Sequence, residues 1–130
     1  MAILIVEDNP TNGLILRHLM KKTYAGETVV VEDPAKAMEL CHAGRFDLVM
    51  VDHMLPGMTG VQFVRLIRKL QHFRDTPIVM VTADTSQSVK EEALAAGVNA
   101  FLTKPVEALG FTQLMNRLIL NSTQLNVALT

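Results

Sequence analysis

Short apolar runs and longer amphipathic stretches alternate five times along the chain. Ala2–Val6 and Leu48–Val51 are uninterrupted apolar runs, too short for helices and suited to strands buried on both faces. Thr28–Val31, Pro77–Val81 and Asn99–Thr103 supply three more short strands. Asn9-Pro10 and Asp33-Pro34 each pair a capping side chain with a proline that fits the first helical turn. They predict helices from Pro10 to about Lys22 and from Pro34 to a stop at Gly44, with Met38 and Cys41 packed inward. After Asp52, Pro56, Gly57 and Gly60 mark a loop. Val61, Val64, Leu66, Ile67 and Leu70 then recur at helical spacing, ending before the polar stretch Arg74–Thr76. Thr85 or Ser86 can cap a fourth helix that runs through Ala96 and stops at Gly97. Leu109, Leu114, Met115, Leu118 and Ile119 mark a fifth, reaching about Asn121. One domain over residues 1–121 is expected, with 122–130 a linker or an extension of the last helix.

Five strand-helix units whose strands are too apolar for a one-sided sheet predict a doubly wound α/β sandwich. At this size the expected form is the flavodoxin-like (βα)5 fold, a five-stranded parallel sheet in the order 2-1-3-4-5. That order sets the ends of strands one and three side by side at the topological switch point, with strands four and five next to them. Those ends carry Glu7 and Asp8, Asp52, Thr82 and Lys104. Hydrophilic groups scattered in sequence therefore gather at one rim, in the crevice where such sheets bind ligands.

Composition narrows the class. A chain of 130 residues, 49% hydrophobic and 19% charged, makes one domain with a real core and leaves no room for two. The net charge is −1 and the basic residues are scattered, so nothing marks a surface for nucleic acid or an anionic membrane. The single cysteine, Cys41, cannot form an internal disulfide. No stretch is long and apolar enough to span a bilayer. The opening MAILIV has no basic prelude or cleavage site and reads as a strand, so a cytoplasmic location is expected.

Three carboxylates in one crevice repel each other by roughly 4 kcal/mol per pair at about 4 Å under a surface-like dielectric. A divalent cation that prefers hard oxygen ligands, Mg²⁺ above all with Mn²⁺ as a substitute, would neutralise them. Lys104 adds a further positive charge. A site balanced in this way can accept a phosphoryl group, with Asp52 as nucleophile and Thr82 as a supporting hydroxyl. The product would be an acyl phosphate.

Glu7-Asp8, Asp52 followed by MLPGMTG after His53, Thr82-Ala83 and Lys104-Pro105 together resemble the signature of the response-regulator receiver domain of two-component signalling. The resemblance covers about residues 2–121. It implies transfer of a phosphoryl group to Asp52 from a sensor histidine kinase or a histidine phosphotransfer protein. It also implies Mg²⁺ held by Asp8, Asp52 and the Met54 carbonyl, with Glu7 acting through a metal-bound water. Thr82 would turn toward the new phosphate and Phe101, the switch aromatic, would swing inward behind it, altering the surface of the fourth helix, fifth strand and fifth helix. The family suggests a cis Lys104-Pro105 bond. Its members flank the hydrolytic water with the residues two past Asp52 and two past Thr82, here Met54 and Asp84. The run EDNPTNGLILRHLM is similar to receivers attached to cyclic-di-GMP phosphodiesterase domains, so a C-terminal effector domain is one expectation and a stand-alone regulator the other. Asn99 and Ala100 stand where the fifth strand of dimerising receivers supplies acids, so a monomer is expected.

Other readings fit less well. A haloacid-dehalogenase-type phosphohydrolase needs a second aspartate two residues past its nucleophile, and that position is Met54. A flavodoxin-like electron carrier would need a phosphate loop rich in Ser, Thr and Gly where this chain has Glu7-Asp8. His53 lies in a loop at a site that needs oxygen ligands, so it is expected to be solvent-exposed and without a role. On the first helix Leu16, Leu19 and Met20 share the core face, whereas Leu14 points outward among Arg17, His18 and Lys21 as a docking contact for the kinase.

Overall fold

The structure is a computed structural model that describes residues 2–120. Its elements are β1 (Ala2–Val6), α1 (Pro10–Thr23), β2 (Glu27–Val31), α2 (Pro34–Ala43), β3 (Leu48–Asp52), α3 (Gly60–Arg68), β4 (Ile78–Thr82), α4 (Gln87–Ala96), β5 (Ala100–Thr103) and α5 (Ala108–Met115). A 3-10 turn at Gln71–Phe73 follows α3, and a π-helical turn at Asn116–Leu120 follows α5. All strand pairs are parallel and the sheet order is β2-β1-β3-β4-β5, the flavodoxin-like arrangement expected from the pattern.

Local chemistry explains the helix starts. The Asn9 side chain accepts from Asn12 N–H at 3.0 Å and that of Asp33 from Ala35 N–H at 2.9 Å, each just before its proline. At α3 the Thr59 hydroxyl accepts from Gln62 N–H while the Gln62 amide oxygen accepts from Thr59 N–H, a reciprocal capping box. Gly97 ends α4 at φ 116°, a left-handed conformation that a β-carbon would strain. Ser86 takes the cap position of α4, but its hydroxyl makes no capping bond; the Asp84 carboxylate accepts from Ser86 N–H instead, at 2.9 Å.

Strand alternation divides the interior in two. Ile3, Ile5, Leu48, Met50, Val79, Val81, Ala100 and Leu102 face α1 and α5 and pack on Leu16, Leu19, Met20, Phe111 and Leu114. Leu4, Val6, Val49, Val51, Ile78 and Met80 face the other way, onto Cys41 of α2, Val64 and Ile67 of α3 and Ala93 of α4. Met38 is only partly buried against this second core. Two expectations about the helices change. Regular α3 stops at Arg68, and the 3-10 turn carries the chain to Phe73, which is fully buried. Leu109 is 69% exposed, because it lies in the first turn of α5 at the rim while Phe111 takes the inward position. The expected helix end at Asn121 and the segment 122–130 lie outside the described residues.

Candidate functional site

The same alternation that builds the two cores aims the rim residues. Asp52 ends β3, and Glu7 and Lys104 stand one residue past the ends of β1 and β5, so Glu7 after Ile5, Asp52 after Met50 and Lys104 after Leu102 all keep the parity of the α1/α5 face. Thr82 follows Met80 and keeps the parity of the α3/α4 face, which Phe101 shares. Two layers of polar function thus sit above one sheet: acids and lysine on one side, hydroxyl and aromatic ring on the other.

On the first side the groups converge. Lys104 Nζ lies 3.0 Å from Asp52 Oδ2 and 3.3 Å from Glu7 Oε1. Carboxylate oxygens of Glu7, Asp8 and Asp52 all lie within 4.8 Å of one another. Glu7 and Asp52 are buried and Asp8 is exposed, so the cluster opens to solvent through Asp8. Burial, followed by the hydrogen bond and negative charge of Asp52, pushes the Glu7 carboxyl from 4.5 up to about 7, although Lys104 pulls the other way. Burial works against the Lys104 ammonium, but Asp52 and then Glu7 outweigh it and hold its pKa above the ordinary value.

This donor set fits a divalent cation. Glu7 Oε2 is buried and has no hydrogen-bond partner, a cost that a cation or its water would remove. Three carboxylates against one ammonium leave two negative charges unbalanced, and every donor is a hard oxygen. Met54 N–H lies 3.5 Å from Asp52 Oδ1, and the Met54 backbone forms an antiparallel bridge with Thr59 that folds the β3–α3 loop over the crevice. Gly60 makes that fold possible: a β-carbon there would collide with the Asp52 carbonyl oxygen.

On the second side the Thr82 hydroxyl accepts from Asp84 N–H at 2.9 Å. Its own proton faces the Asp84 carbonyl at 3.4 Å, and His53 Nδ1 lies at the same distance, an acceptor when the imidazole carries its proton on Nε2. His53 is half-buried here and not the free loop residue expected. Parity was the missed signal: one residue past Asp52, the His53 side chain joins Val49 and Val51 on the face that Thr82 occupies. Phe101 is half-buried and packs against the α3/α4 core, in register with Met80. Asp84 is exposed, and its carboxyl is held below the usual carboxylate range by the Ser86 backbone and side chain. Lys104-Pro105 is cis.

Around the rim, Leu14 is 67% and Met54 66% exposed, while Leu16, Leu19 and Met20 are buried as the helical spacing predicts. Clefts of about 420 Å³ and 270 Å³ flank α1, the first against Ile15 and Val106, the second against Leu14 and Arg17, and both reach Glu7. No helix among the described residues is long and apolar enough to cross a membrane.

Known proteins share this arrangement. A chemotaxis protein CheY of Pseudomonas aeruginosa is 35% identical over 108 residues, covering 83% of this chain and 87% of its own. The cyclic di-GMP phosphodiesterase response regulator RpfG of Xanthomonas campestris is 40% identical over 108 residues, or 82% of this chain, yet that span is only 28% of the relative's length. The receiver domain of a Pseudomonas aeruginosa sensor histidine kinase, solved with a magnesium ion coordinated in its active-site cleft, superposes with a TM-score of 0.80 at 31% identity, over 91% of this chain and 96% of that one. Residues 3–118 match the family model described as the response regulator receiver domain, a span that takes in all the rim groups and every strand but for the first residue of β1, and the chain belongs to that family.

Proposed function

We propose that this receiver domain takes a phosphoryl group onto Asp52 from a phosphohistidine on a sensor histidine kinase or histidine phosphotransfer protein. The observation that carries the reading is the buried Asp52 carboxylate, 3.0 Å from the Lys104 ammonium and clustered with two further carboxylates. An Asp52 oxygen attacks the phosphorus as the P–N bond breaks, and the imidazole nitrogen leaves with the bonding pair. Lys104 sits where it faces the incoming phosphoryl oxygens and stabilises the charge they carry. The Thr82 hydroxyl turns to a phosphoryl oxygen, and Phe101 moves inward behind it to change the α4–β5–α5 surface. Glu7, Asp8, Asp52 and the Met54 carbonyl would hold Mg²⁺, or Mn²⁺ in its place, with Glu7 acting through a water. When bound, the cation supplies the positive charge that lets a phosphoryl group enter a crevice of carboxylates.

Acetyl phosphate tests this without a partner. With Mg²⁺ or Mn²⁺ the intact mass should rise by one phosphoryl group, and EDTA should abolish the gain. Equal labelling in EDTA would refute the metal-assisted reading.

Partner docking is assigned to Leu14 on the ridge of α1, where an exposed leucine between two clefts adjoins the site. Leu14→Lys should slow transfer from the cognate kinase about tenfold while leaving acetyl-phosphate labelling unchanged. Unaltered kinase transfer would count against it.

Persistence of the signal is assigned to Met54 and Asp84. The Met54 thioether cannot orient water, and one Asp84 oxygen is already engaged with Ser86 N–H. Slow loss of phosphate is therefore expected, and Met54→Asn should speed it several-fold, because an amide can position the attacking water. Identical decay after donor removal would show that Met54 does not limit the rate.

A further inference from the structure

We propose that His53, as the tautomer protonated on Nε2, is a positioning residue for the Thr82 hydroxyl: in the resting domain its imidazole Nδ1 accepts a share of the hydroxyl proton and biases that hydroxyl away from Asp52. This rests on the phosphoacceptor reading above and adds a side chain to it.

The His53 backbone is fixed from both sides, its N–H donating to the Val81 carbonyl at 3.0 Å and its carbonyl accepting from Gly60 N–H at 2.7 Å. The ring therefore starts from a rigid mount on the α3/α4 face, beside Thr82. Thr82 is itself buried, so water does not readily replace a lost partner. Its oxygen is well satisfied by Asp84 N–H at 2.9 Å, but its proton is not: both acceptors stand at 3.4 Å, beyond the usual span for a hydroxyl donor. Such long contacts restrain the hydroxyl weakly and release it to a stronger acceptor. A phosphoryl oxygen on Asp52 is one, being charged. Of the two resting acceptors only His53 is a side chain, so it alone can be tuned by substitution. Removing it leaves only the Asp84 carbonyl to hold the proton, which lowers the cost of turning the hydroxyl to a phosphoryl oxygen.

The test uses the whole chain, beryllofluoride with Mg²⁺ as the phosphoryl mimic, and variants at both positions. His53→Leu should tighten beryllofluoride binding by about two- to fivefold, the scale of one weak hydrogen bond. In a Thr82→Val background, which has no hydroxyl to position, the same substitution should change nothing. His53→Asn, whose amide oxygen can stand in for Nδ1 as an acceptor, should bind within about twofold of the wild type. An equal effect of His53→Leu with and without the Thr82 hydroxyl, or no effect at all, overturns the proposal. The contact is read separately from the imidazole nitrogen resonances of His53 in the free domain, which should move on Thr82→Val. Unmoved resonances also overturn it. Failure of wild-type protein to bind beryllofluoride would instead refute the phosphoacceptor reading, and the nitrogen resonances would still decide for or against the contact.

Discussion

Asp52→Asn is expected to end phosphoryl uptake from acetyl phosphate and to raise the melting temperature of the metal-free protein at pH 8. The first effect is complete because an amide has no anionic oxygen to attack phosphorus, and no other carboxylate in the cluster shares the position at the end of β3. The second follows from the charge balance. Asp52 raises the pKa of the buried Glu7 through both a hydrogen bond and its charge, so at pH 8 the cluster is held ionised against its own repulsion. Removing one charge leaves the Glu7–Lys104 pair at 3.3 Å, a neutral arrangement. Burial remains the first cause of the Glu7 shift, but the part due to Asp52 is relieved, and Lys104 keeps a carboxylate partner and some exposure when the Asp52 contact is lost. Intact-mass labelling and thermal unfolding in EDTA measure the two effects. A variant that still gains a phosphoryl group, or that melts lower, would contradict this account of the site.

What could be read from the sequence divides along the range of the forces involved. Strands such as Leu48–Asp52 are legible because burial on both faces demands an unbroken apolar run, and Asn9-Pro10 and Asp33-Pro34 are legible because capping is local chemistry. The convergence of Glu7, Asp52 and Lys104 then follows from sheet order alone, since all three stand one step beyond a strand end or at it. The placement of His53 is also carried by the strand period, since counting alternate residues from Val49 puts it on the α3/α4 face with Thr82, although its loop position suggests exposure. Other features depend on partners far along the chain and leave no local trace. The Ser86 hydroxyl makes no capping bond to α4, and the Asp84 carboxylate instead holds the Ser86 N–H just ahead of the helix, which nothing in the pattern foretells. Nothing in the sequence singles out Arg68. In the fold its guanidinium donates to the carbonyls of Gly97 and Phe73 and to Asn99 Oδ1, tying α3 to the base of α4 and the start of β5. Leu109 shows the opposite limit, since helical spacing identifies an apolar face without saying where along the helix that face meets the sheet.

In EDTA the domain is expected to lose stability as pH rises from about 5 to about 8, and Mg²⁺ should reverse that loss. Glu7 ordinarily titrates at 4.5 but in the fold holds its proton to about 7, chiefly because it is buried and next because Asp52 is near. Between those values the native state binds more protons than the unfolded chain, so raising the pH favours unfolding. The contribution is fully present below 4.5 and gone above 7, and the shift corresponds to about 3 kcal/mol. Lys104 and Cys41 are both shifted upward from already high values, Cys41 to about 12, so their effects fall at alkaline pH. The lowered Asp84 acts only at acid pH, below its ordinary 3.8. Glu7 therefore dominates the window among the shifted groups. A divalent cation needs the carboxylate form, so it stabilises more at pH 8 than at pH 5 and turns the slope. Urea unfolding at several pH values, with EDTA and with Mg²⁺, gives both slopes. Glu7→Gln keeps the side chain's shape and removes its proton equilibrium, and should flatten the EDTA profile. A Glu7→Gln profile parallel to that of the wild type would show that the pH dependence arises elsewhere.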